Sequence, residues 1–98
     1  MRMFRRLHIA SWTEAEASRL RIVIDRSPTV RVAFPLLSEG TVTFARADGV
    51  WTLGQLIGTI VEGCRASGHP GDLWLEDIER EPDGLWIARL TAAKEDHQ

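Results

Sequence analysis

Cys64 and His69 are the pair in this chain that most invites chemistry, because a thiol and an imidazole can act as nucleophile and base or supply two ligands to a metal ion. Zinc takes three or four ligands, and the remaining histidines, His8 and His97, stand near opposite ends of the chain. Cys64 also falls at the last apolar position of a helical stripe, where cysteine ordinarily serves as a small buried hydrophobe. Glu76, Asp77, Glu79, Glu81 and Asp83 crowd a single stretch. A hydrolase would need two of them facing one cleft, in environments that drive their pKa values apart. The local pattern instead sets Arg89 opposite Asp77 across a hairpin, and charges on such a strand discourage edge-to-edge pairing. No phosphate-binding loop, dinucleotide fingerprint, nucleophile elbow or paired CxxC is present. The sequence therefore predicts a non-enzymatic protein with no catalytic residue, metal or cofactor, and no small-molecule substrate is evident.

Arginines offer a second chemistry. Residues 1–49 carry eight arginines against five acids, a net of +3, while residues 50–98 carry four basic groups against nine acids, a net of −5. Arg2, Arg5 and Arg6 could contact phosphates, which makes a nucleic-acid-binding regulator the alternative reading. The chain as a whole is acidic, at −2, and that weighs against a nucleic-acid partner.

These side chains must be positioned by a small set of elements. Ninety-eight residues, 44% hydrophobic and 27% charged, fit a single domain over residues 1–98 with one core. The clearest element runs from Thr52 to Ala66. Leu53, Leu56, Ile57, Ile60, Val61 and Cys64 recur at helical spacing, Thr52 with Gln55 makes a capping box, and Gly68 followed by Pro70 supplies a stop. Gly54 and Gly58 leave the other side of this helix bare enough for a neighbouring helix. Upstream, Met3 to Ile9 reads as a short first strand. Ser11 with Glu14 reads as a second capping box, opening a helix from Trp12 to about Asp25, before the breaker Ser27-Pro28. Val30 to Phe34 and Thr41 to Ala47 alternate as strands, joined by the Ser38-Glu39-Gly40 turn. Asp48-Gly49 turns the chain back toward Val50 and Trp51.

Two further strands, Asp72 to Arg80 and Leu85 to Thr91, flank Glu81-Pro82-Asp83-Gly84 and predict a hairpin with a three-residue loop and a bulge at Gly84. Residues 91–98 are polar and should fray. The resulting order, β-α-β-β-α-β plus an added strand, predicts an α+β domain. Its sheet would be antiparallel, of four to five strands, with two helices on one face in a ferredoxin-like plan.

Regular alternation through the hairpin puts Trp74, Ile78, Trp86, Ala88 and Leu90 on one face and Leu73, Leu75, Leu85 and Ile87 on the other. Grease on both faces of an exposed ribbon implies a companion, so Leu73, Leu75, Leu85 and Ile87 are the predicted contact for a protein partner or a homodimer. An adaptor, inhibitor or immunity-type protein would fit that description. The basic N-terminus has no apolar run behind it and no stretch is long enough to span a membrane, so the expected location is cytoplasmic.

Overall fold

A computed structural model describes residues 6–69 and 72–92. The elements are β1 (Leu7–His8), a 3-10 turn (Ile9–Ser11), α1 (Glu14–Ala17), β2 (Val23–Asp25), β3 (Thr29–Ala33), β4 (Thr41–Ala45), β5 (Trp51–Thr52), α2 (Leu53–Ala66), β6 (Leu73–Arg80) and β7 (Trp86–Ala92). Five strands form one sheet in the order β1-β6-β7-β3-β4, and β2 pairs with β5 in a separate two-stranded ribbon. The fold is α+β, as expected.

The second helix forms as its pattern requires. Thr52 Oγ1 accepts the Gln55 N–H at 3.2 Å while Gln55 Oε1 accepts the Thr52 N–H at 2.9 Å, and Gly68 ends the helix at a φ of 70°. All six stripe residues are buried, in one cluster with Val30, Val32, Phe34, Leu75, Ile78, Trp86 and Ala88 from the large sheet.

The first helix does not reach Asp25. It lasts one turn, and Glu16 rather than Glu14 folds back, accepting the Thr13 N–H at 3.3 Å, while Ser11 shares a hydrogen bond with His8. Beyond a turn at Ser18 and Arg19 the backbone extends, because the first N–H groups of α2 need acceptors. Gly54 N–H donates to Leu20 O at 2.9 Å and Leu53 N–H to Ile22 O at 2.8 Å. The β-branched run Ile22-Val23-Ile24 suits that extended path, and Val23–Asp25 pairs with Trp51 and Thr52.

The expected antiparallel, ferredoxin-like sheet is not the one formed. β3 and β7 run parallel, so the sheet is mixed, and β1 pairs with β6. The departure begins at the first connection, which holds a one-turn helix and β2 in place of the long crossover helix that the plan requires. β7 runs to Ala92, two residues into the stretch expected to fray, and residues 93–98 lie outside the described range.

The bare side of α2 is covered by this chain itself at Gly54 and Gly63 and open at Gly58. A Cβ on Gly54 would lie 2.2 Å from Ala17 O, one on Gly58 3.8 Å from Trp12 Nε1, and one on Gly63 3.0 Å from Phe34 Cζ. Gly54→Ala should therefore destabilise the protein by about 1–3 kcal/mol, the usual cost of overpacking against backbone. Gly58→Ala has room and should be neutral or stabilising by up to about 1 kcal/mol through helix propensity. Urea denaturation of the two variants checks the contrast.

Candidate functional site

Among the residues that could do chemistry, Cys64 is the most deeply placed. It is 2% exposed, and burial pushes its thiol up to about 11 from an ordinary 9.0. A thiol so withheld from ionisation is a poor nucleophile. His69 caps the turn after α2, its N–H donating to Ser67 Oγ at 3.2 Å. No group of three His, Cys, Asp or Glu side chains able to hold a metal occurs among the described residues.

The carboxylate-rich hairpin forms in the expected register, with Asp77 opposite Arg89, Ile78 opposite Ala88, and Glu81 N–H donating to Leu85 O at 2.7 Å. Arg89 reaches diagonally to Glu79, at 2.6 Å, and this contact holds the Glu79 carboxyl below its ordinary range and raises Arg89. Asp83 accepts the Leu85 N–H in the turn and lies 3.6 Å from Arg31, and these contacts, the N–H first, lower its pKa. Asp77 Oδ1 accepts the Ile78 N–H at 2.9 Å. Glu76 takes Arg6 and the Thr91 hydroxyl. The acids on this hairpin thus serve turns and ion pairs.

The four predicted contact residues do not share a face. Pairing shifts by one residue between Leu75 and Asp77, so Leu75 stands opposite Leu90. A bulge of this kind reverses which side chains point inward along the rest of the strand. Leu73 and Leu75, 6% and 0% exposed, enter the core with Ile78, while Leu85 and Ile87 are half-buried. Trp74 is carried to the solvent side, where His8 stacks on it at 4.5 Å and the Arg6 guanidinium lies 4.3 Å from the ring centroid. His8 Nε2 stands 3.4 Å from Asp72 Oδ1, an ion-pair distance without hydrogen-bond alignment. Trp86, by contrast, is core, its indole N–H donating to Asp25 Oδ2 at 3.0 Å. Of the predicted phosphate-binding arginines, Arg6 is committed to Glu76 and Trp74, and Arg2 and Arg5 lie outside the described residues.

Exposed apolar surface collects elsewhere. One groove, of about 650 Å³, runs between Ile22, Val23 and Ile24 and the Ile78–Trp86 end of the hairpin, and it is rimmed by Asp77, Glu79, Arg80 and Glu81. A second, of about 610 Å³, lies between the last two turns of α2 and β4 and is walled by Phe34, Leu37, Val42 and Phe44. Phe34 is fixed there by Gly63, whose missing side chain lets the ring lie on the helix. Val42 and Leu36 are 45% and 44% exposed.

Beside this second groove is the free side of β4, which ends the sheet. Arg46 N–H donates to Pro28 O at 2.9 Å, and the β3–β4 register continues that pairing through Phe44 opposite Val30 and Val42 opposite Val32. Antiparallel pairs alternate in direction, so Thr41, Thr43 and Ala45 aim their N–H and C=O groups away from the sheet. None of the residues Thr41–Ala45 is ionisable. Sequence reading found this strand but could not see that it would lie at an edge. Nothing in its residues marks it as an edge, since edge strands usually carry charge.

No family model matches the chain, and no curated protein or solved structure matches it either.

The buried thiol has a measurable consequence. With a folded pKa raised above 9.0, Cys64 favours the native state fully below pH 9 and withdraws that contribution as pH rises toward about 11, since only the unfolded chain ionises readily in that window. Denaturation curves should show a loss of stability between those values that Cys64→Ala abolishes. Native protein should also resist thiol alkylation at pH 8 and react once unfolded in urea.

Proposed function

We propose that this is a small non-enzymatic protein that acts through protein–protein contact, in the manner of an adaptor, inhibitor or immunity-type partner, and that its contact surface is the free edge of β4 with the groove beside it. The observation that carries this reading is the coincidence of unpaired backbone and apolar surface. Thr41, Thr43 and Ala45 offer outward hydrogen-bonding groups, while Val42 and Phe44 open onto the groove walled by Phe34 and Leu37. Strand addition uses such a pair of features, with main-chain bonds giving affinity and a side-chain pocket giving selectivity. Proteins usually guard a free edge with charge, proline or a bulge, and β4 has none of these.

Other features support the reading. Of the hairpin residues expected to recruit a partner, Leu73 and Leu75 are core and Leu85 and Ile87 half-buried beside the Arg89–Glu79 ion pair. Cys64, the one thiol, is withdrawn from solvent, and a free buried cysteine is consistent with a reducing, cytoplasmic setting. Among the described residues no helix is long and apolar enough to cross a membrane. Arg6, Arg31, Arg46, Arg80 and Arg89 each face a carboxylate, which occupies those five side chains.

The test is an NMR titration of isotopically labelled protein with a synthetic peptide of residues 40–47, and with the same peptide carrying proline at position 43. Shift changes confined to Thr41–Ala45, Phe34 and Leu37, produced by the first peptide and not the second, are the expected result. Shifts spread over the outer face around Trp74, or none with the protein dilute enough to be monomeric, would overturn the assignment of the surface.

A further inference from the structure

Resting on the reading that the β4 edge is the contact surface, we propose that its occupant is a second copy of this chain, joined strand to strand about a two-fold axis through Thr43. The argument is one of register. Outward-facing groups belong to Thr41, Thr43 and Ala45, so a second β4 laid antiparallel can bond only where these residues meet their counterparts. Centring the axis on Thr43 opposes Thr43 to Thr43 and each Thr41 to the other copy's Ala45, and every outward N–H and C=O of the strand finds a partner. Sliding by two residues in either direction leaves one of the three facing Glu39 or Ala47.

Side chains agree with that register. Toward α2, Val42 of each copy faces Phe44 of the other, a β-branched–aromatic pair of the favourable kind, and the exposed part of Val42 is covered. The two grooves then become continuous across the axis, closing Leu37 and Phe44 from water. Away from α2, only Thr41, Thr43 and Ala45 meet, and all are small and uncharged. At both ends Glu39 of one copy faces Ala47 of the other and Arg46 faces Gly40, so no like charges oppose within or beside the strand. A two-fold contact also closes on itself, which keeps an unguarded edge from propagating. Among the described residues the opposite end of the sheet offers no equivalent. β1 is two residues long and is flanked by the Arg6–Glu76 ion pair.

The full chain is tested by sedimentation equilibrium over a concentration series, with circular dichroism as the folding control. Wild type should move from the 11.0 kDa monomer to twice that mass as concentration rises. Thr43→Pro loses an N–H that no bond of the β3–β4 ladder uses, so it should fold normally yet dimerise at least about tenfold more weakly. Thr43→Lys and Thr43→Glu should each be monomeric, because the axis sets like charges directly opposite, and an equimolar mixture of the two should restore the dimer. Wild type that stays monomeric at every concentration overturns the proposal, as does a dimer unaffected by Thr43→Pro or a mixture that fails to associate. A monomeric chain whose β4 edge still binds the 40–47 peptide would refute self-pairing and leave the proposed contact surface standing. Failure of both would remove the surface as well.

Discussion

The arrangement depends on one constraint: a single long helix must cover one face of a five-stranded sheet. An α-helix with its side chains is about 10 Å across, whereas four inter-strand spacings of about 4.8 Å make the sheet roughly twice that width. α2 is buried along Leu53, Leu56, Ile57, Ile60, Val61 and Cys64, and packs over the middle of the sheet, where Val30, Val32, Leu75, Ile78, Trp86 and Ala88 are nearly inaccessible. On its other side it takes Trp12 and the one-turn helix that ends at Ala17, seated where Gly54 and Gly58 lack side chains. The N-terminal segment is thus spent as a second layer on α2. Among the described residues nothing comparable reaches β4, and the groove at Phe34, Leu37, Val42 and Phe44 is a part of the sheet that the helix does not cover.

The solvent side of the sheet needs no cover, and the bulge between Leu75 and Asp77 is the reason. Without it, strict alternation would leave Leu73 and Leu75 facing water and bury Trp74. With it, two leucines join the core, where a fully buried side chain of that size is worth about 1.5–3 kcal/mol. Trp74 instead becomes a platform for His8 and Arg6. The remaining outer positions of the hairpin are dominated by charge, as in the Arg89–Glu79 and Arg6–Glu76 pairs, which suits an antiparallel ribbon with one wet face.

Where local physics dominates, the chain was legible. The helix from Leu53 to Ala66, its Thr52–Gln55 cap, the Gly68 stop, the hairpin turn at Gly84 and the Asp77–Arg89 register all follow from spacing and turn chemistry within a few residues. Where distant groups decide, the reading failed. Residues 20–24 have an acceptable helical pattern, but their carbonyls are claimed by Leu53 and Gly54, more than thirty positions downstream. The parallel β3–β7 pair and the edge position of β4 depend on the same kind of long-range choice. A bulge, finally, leaves almost no trace in composition, yet it exchanges the faces of Leu73, Trp74 and Leu75 and so moves the candidate contact from the hairpin to the far edge of the sheet.

Amide hydrogen exchange, read residue by residue along β4 across a dilution series, examines that edge most directly. Val42, Phe44 and Arg46 donate into the sheet and should exchange slowly at every concentration. Thr41, Thr43 and Ala45 should exchange freely when dilute and become protected together as the protein is concentrated. Rapid exchange of those three at all concentrations would contradict the account.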